Sequence, residues 1–157
     1  RPHPGDERGA RMVKEIISLS EGRLKGVLVY LPGYNIEIAK LLAAGCDAWL
    51  NTPIVGFEAS GTSGMKAALN GVLPISTRDG WMGEVEMPGK GWLIEDENVT
   101  ADLMKILKNC VAPLYYNLDS NGIPARWEDN MKNSRRMVLN NFNTTRMLRE
   151  YIEKLYL

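Results

Sequence analysis

With 157 residues, 45% of them hydrophobic and 24% charged, the chain has the size and composition of one ordinary packed domain. Nineteen basic against 19 acidic residues give a formal net charge of zero, so no overall field draws the molecule to nucleic acid or an anionic membrane, and any anion site must be local. Two cysteines, Cys46 and Cys110, lie far apart without metal-ligand spacing, and no apolar run reaches bilayer length. The expectation is a cytoplasmic protein with core thiols and no metal.

The first predicted element is an amphipathic helix in which Met12, Val13, Ile16, Ile17 and Leu19 recur at helical spacing until Gly22. Val27 to Leu31 is a continuous apolar run closed by Pro32-Gly33, which predicts a strand buried on both faces. A second helix carries Ile38, Leu41 and Leu42 and stops near Gly45. The short strand-like segment Asp47-Ala48-Trp49-Leu50 follows. Gly64 to Asn70 reads as a helix ended by Gly71, with Leu73 to Thr77 and Gly91 to Ile94 as further strands. Thr100 is placed as the cap of a helix carrying Leu103, Ile106 and Leu107. Met147, Leu148, Tyr151, Ile152 and Leu155 predict a terminal amphipathic helix.

Alternating strands and helices predict an α/β fold, a parallel sheet with right-handed crossovers and helices on both faces, with ligands at the C-terminal strand ends. No linker divides the chain, so residues 1–157 are taken as one domain. The strand count is low for a doubly wound sheet, and the chain opens on a loop and helix, which predicts that the N-terminal side of the domain is missing.

Chemistry concentrates in Glu58-Ala59-Ser60-Gly61-Thr62-Ser63-Gly64-Met65-Lys66, a small-residue loop running into a helix. Such a loop lets backbone N–H groups approach an anion at the positive end of the helix, with the Thr62 and Ser63 hydroxyls as added donors. Lys66, one turn in, can reach back to a group held there. The same composition also suits a plain helix cap, with Lys66 as an exposed helix lysine and Glu58 as a solvated loop carboxylate. The Gly-Lys-Ser/Thr ending of a Walker loop is absent. His3 reads as a solvated terminal residue. Lys132, Arg135, Arg136, Arg146 and Arg149 read as solvated helix faces, and Trp81, Trp92 and Trp127 as core residues or sugar-stacking surfaces.

Glu58 to Lys66 together with Ala67-Ala68-Leu69-Asn70-Gly71-Val72-Leu73 resembles the cofactor segment of the α-glucan phosphorylases, the glycogen, starch and maltodextrin phosphorylase family, above all its short bacterial and archaeal type. Similarity extends to Pro4-Gly5, Tyr34, Trp49 to Pro53, Asp79-Gly80-Trp81, Pro113 to Tyr116 and Phe142 to Tyr151. The sequence departs from the family at Ile54-Val55-Gly56-Phe57 and from Trp81 to Met87. The resemblance implies the C-terminal domain of a two-domain glycosyltransferase (GT-B) architecture with a Rossmann-like sheet. It implies retaining phosphorolysis of an α-1,4-glucan by inorganic phosphate to glucose 1-phosphate, with pyridoxal 5'-phosphate (PLP) as cofactor. Lys66 then carries PLP, Thr62 and Ser63 hold its phosphate, and Tyr34 lines its pocket. Glu58, Ser60 and Gly61 contact the sugar, and Lys66 and Glu58 are the catalytic pair.

By the same resemblance, the family's basic phosphate-binding loop and N-terminal glucan domain lie outside this sequence, which implies inactivity alone, docking to that N-terminal domain and self-association of the bared surface. Two other readings stand beside it. A nucleotide-sugar glycosyltransferase of the same architecture needs an acidic residue where Lys66 stands, and a non-catalytic binding or assembly module would keep the fold without the chemistry.

Overall fold

The computed structural model describes residues 3–95 and 97–156, and the chain divides into two compact units, Arg1–Lys40 and Leu41–Leu157. In the first unit Asp6 caps helix α1 (Glu7–Glu21), its Oδ1 accepting from the Gly9 N–H at 2.8 Å, and Gly22 ends it as the spacing predicts. The predicted strand at Val27 to Leu31 does not form. Val27 and Val29 are exposed, and the backbone there makes only an isolated bridge between Lys25 and Leu28 and turn bonds to Leu24. Apolar patterning states what a segment could bury. A parallel strand also needs a neighbour in register, and none is paired with this run among the described residues. Helix α2 (Ile36–Gly45) spans the division between the units, and Asn35 Oδ1 accepts from the Ile38 N–H at its start. Ile38 and Leu42 are half-buried whereas Leu41 is exposed.

The second unit is built on three parallel strands in the order β1 (Ala48–Asn51), β2 (Leu73–Thr77), β3 (Trp92–Ile94). All of β2 is buried, as a central strand requires. Pro74 is tolerated there because the Leu73 N–H points to Asp47 on the β1 side, which turns Pro74 towards Gly91, just before β3 begins. Gly91 is obligatory at that point. With φ near +154°, a Cβ on it would stand 2.4 Å from the Pro74 carbonyl oxygen.

Side chains of β3 alternate between two clusters, which shows that both faces are covered. Leu93 packs with Ala68 and Met65 of α3 (Thr62–Leu69), Met137 and Val138 of α6 (Ala125–Asn141), and Trp81, Met82, Val85 and Met87 in and after the 3₁₀ turn Gly80–Glu84. Trp92 and Ile94 face the other way, with Ile75, against Val99, Leu103 and Ile106 of α4 (Val99–Ile106) and the π turn Leu107–Val111. Asn98, not Thr100, caps α4, its Oδ1 accepting from the Ala101 N–H. Both residues suit the position, and only the geometry picks the earlier one. Cys110, expected in the core, is exposed on the π turn, and Cys46 is half-buried.

Tyr115 of α5 (Ala112–Tyr115) and Trp92 meet the buried Trp127 of α6 at ring distances of 5.0 and 5.9 Å, so Trp127 belongs to the core, like Trp81. The chain closes with α7 (Thr144–Tyr151) and a π turn to Tyr156. Arg146 of α7 is not a solvated-face residue. It pairs with Glu150 at 2.6 Å and Glu84 at 3.5 Å, donates to the Asn141 carbonyl, and lies over the Phe142 ring. Neighbouring acceptors lower the cost of partly burying its charge.

Ser134 on α6 is fully buried, and its hydroxyl has no hydrogen-bond partner. An unpaired buried hydroxyl costs about 1–3 kcal/mol. Ser134→Ala is therefore expected to raise the urea midpoint with an unchanged slope, a gain of about 1 kcal/mol. A lower midpoint would show that the hydroxyl contributes to folding.

Candidate functional site

Two loops leave the C-terminal ends of neighbouring parallel strands. Residues 52–61 follow β1 and residues 78–80 follow β2, which puts both at the edge where ligands of such sheets bind. Thr77 Oγ1 donates to the Pro53 carbonyl at 2.8 Å and fixes the roots of the loops together.

Gly61 turns the chain into α3 with φ 80° and ψ 45°, the left-handed conformation that favours glycine, and no side chain caps the helix. The Gly64 N–H bonds to the Gly61 carbonyl, whereas those of Thr62 and Ser63 have no partner among the described residues. No Ser or Thr side chain caps the helix, and Lys66 is exposed, as the plain helix reading of this loop also has it. Thr62 and Ser63 are exposed, and Lys66 lies four and three residues further on, on their side of the helix. Lys66 is exposed and forms no ion pair with a described residue. The arrangement offers unpaired N–H donors, two hydroxyls, a helix N-terminus and an amine on one side of one helix. This donor set suits an anion.

Small residues here also serve packing. A Cβ on Gly64 would approach Trp81 Nε1 to 3.1 Å, and one on Gly61 would approach Trp81 Cδ1 to 3.3 Å. The Trp81 indole thus lies directly beneath the start of α3, buried and edge-on to Phe142 at 5.6 Å.

Glu58 and Ser60 are half-buried, and each is held by its backbone. Asp79 Oδ2 accepts from the N–H groups of Gly56, Phe57 and Glu58 at 3.0, 3.1 and 2.8 Å, while Oδ1 accepts from Gly80 at 2.8 Å. The Trp81 N–H donates to the Ser60 carbonyl at 2.9 Å. The Glu58 and Gly80 N–H groups, followed by those of Gly56 and Phe57, hold the Asp79 carboxyl below its ordinary range, because they bond its charged form more strongly than its neutral one. Asp79 has no role of its own in the sequence reading. The signal for it is an Asp-Gly pair just past a strand end, where an aspartate side chain commonly binds nearby N–H groups. Tyr34 stands apart from these residues in the chain, in the first unit, and is exposed.

The sequence from 11 to 99 matches the model of the family described as Phosphorylase, carbohydrate phosphorylase. Across 99% of its length the chain is 34% identical to a glycogen phosphorylase of Mycobacterium tuberculosis, 36% to one of Aquifex aeolicus and 37% to a maltodextrin phosphorylase of Thermococcus litoralis. It covers 20%, 24% and 20% of those proteins, so the chain spans about a fifth to a quarter of the length of these relatives.

Proposed function

The chain belongs to the carbohydrate phosphorylase family, and from that premise we propose that it is the cofactor-bearing, Rossmann-like C-terminal part of a GT-B α-1,4-glucan phosphorylase. The reaction is cleavage of an α-glucan or maltodextrin by inorganic phosphate to glucose 1-phosphate with retention of configuration, in the cytoplasm. The observation that carries the reading is the uncapped start of α3, with Thr62, Ser63 and Lys66 on one side of it.

These residues fit PLP. Thr62 and Ser63 hold a phosphate through their hydroxyls and free N–H groups, and Lys66 Nζ is the attachment point. When bound, PLP supplies a phosphate that exchanges a proton with the substrate phosphate. Glu58 accepts from sugar hydroxyls, and Ser60 and Gly61 complete the sugar contact, orienting the anomeric carbon. The positive end of α3 stabilises the negative charge gathered at two adjacent phosphates.

Turnover on this reading also requires the family's N-terminal half and its basic phosphate loop. The test combines this chain, loaded with PLP, with the separately produced preceding part of the Thermococcus litoralis relative. Phosphate-dependent release of glucose 1-phosphate from maltodextrin is then measured. Release by the combination and none by either part alone is expected. A combination that associates and binds PLP at Lys66, yet releases nothing, would sink the reading in favour of a non-catalytic module.

A further inference from the structure

We propose that Asp79 is the positioning residue of the sugar-facing loop, fixing Glu58 and Ser60 from the neighbouring strand end without touching the substrate. The inference rests on the reading above, in which Glu58, Ser60 and Gly61 face the sugar.

Hydrophobic burial does not hold this loop. Ile54, Val55 and Phe57, the apolar side chains leading into Glu58, are exposed by 72%, 63% and 84%. A loop so exposed would ordinarily sample many conformations, because nothing offsets the entropy of ordering it. What orders it is polar. One oxygen of Asp79 gathers three consecutive N–H groups, and the next residues continue the attachment through the Trp81 N–H to the Ser60 carbonyl. Bonds to an ionised carboxylate are about twice as strong as neutral ones.

Gly80 completes the contact. Its φ is +51°, and a Cβ there would lie 2.6 Å from the Ser60 oxygen and 3.1 Å from Glu58 Cγ. The stem of Glu58 thus rests against backbone that Asp79 itself bonds. Lys66 is outside this set, since it stands on the helix and none of its atoms bonds to the 79–81 segment among the described residues. The sugar-facing loop and the cofactor lysine are therefore held by separate means, and Asp79 acts on the first.

Asp79→Asn tests this, since it preserves size and removes the charge and one acceptor. In this chain, amide hydrogen exchange at Gly56, Phe57 and Glu58 is expected to accelerate about tenfold or more, the effect of losing one bond to a charged group. Borohydride trapping of PLP at Lys66 should stay as it was. In the combined assembly, kcat for phosphorolysis is expected to fall about 100-fold while KM for phosphate holds, the usual effect of misplacing a reacting partner by about an ångström.

The deciding arm is Asp79→Asn in a Glu58→Ala background, where a further loss below about twofold is expected if Asp79 acts through Glu58. An equal loss in both backgrounds, or unchanged exchange at the three amides, would overturn the proposal. If Glu58→Ala alone leaves maltodextrin turnover intact, the sugar-facing reading fails instead, and the exchange result stands independently of it. Should Asp79→Asn not fold, Asp79→Ser, which keeps a short acceptor, carries the same comparison.

Discussion

Lys66→Ala is expected to abolish covalent attachment of PLP to this chain. After incubation with PLP and reduction with borohydride, peptide mass spectrometry should find the adduct at Lys66 in the parent and at no lysine above background in the variant. The physical case is positional. Lys66 is the basic residue of α3's last turn, on the side of the helix where Thr62 and Ser63 leave their N–H groups unpaired. An anion held there places its other substituents within a turn of the amine. Because Lys66 is exposed and unpaired, its removal should leave folding stability within about 0.5 kcal/mol, so lost labelling cannot be ascribed to unfolding.

Lys66→Arg gives a sharper control, keeping a cation on a stem of similar reach without a primary amine that can take the adduct. In the combined assembly both variants should lose at least about 100-fold in turnover, since the cofactor is no longer held in place. Labelling of another lysine, with Lys66 untouched in the parent, would refute the assignment.

How far such a site is legible in the sequence depends on the distance over which its residues interact. The helix at Thr62 to Leu69, read as Gly64 to Asn70, and the strand at Leu73 to Thr77 are local, and spacing plus turn chemistry finds them to within a residue or two. Val27 to Leu31 has the pattern of a buried strand but leaves Val27, Val29 and Leu31 exposed, because strand formation depends on a partner that a local pattern does not specify. Asp79 fails for the same reason in polar form. Its partners lie 21 to 23 residues away, and only the parallel pairing of β1 with β2 brings the strand ends together. Gly61 and Gly64 belong to the small-residue loop noted in the sequence, and the packing reason for them lies in the fold. Backbone approach to an anion accounts for them in the sequence, while the indole of Trp81 beneath them is visible only in the fold.

That indole carries the second large effect. Trp81→Ala is expected to cost about 3–5 kcal/mol, the usual range for truncating a buried aromatic, and thus a large part of the total stability of a domain this size. Trp81 is 4% exposed, edge-on to Phe142, and central to the cluster that joins α3, α6 and the 3₁₀ turn. Urea denaturation should show a lowered midpoint, and a loss under about 1 kcal/mol would mean that the cavity collapses without cost.

The location of the cavity sets the functional consequence. The missing ring lay against Gly61 and Gly64, so relaxation draws the start of α3 inward, while the backbone N–H that bonds Ser60 survives the substitution. Folded Trp81→Ala, kept native by cooling or an osmolyte, should therefore trap less PLP at Lys66 yet retain slow exchange at Gly56 to Glu58. This is the opposite pattern to Asp79→Asn. The crossed pattern follows from what each residue supports: an apolar ring under the helix that presents Lys66, and a carboxylate behind the loop that presents Glu58.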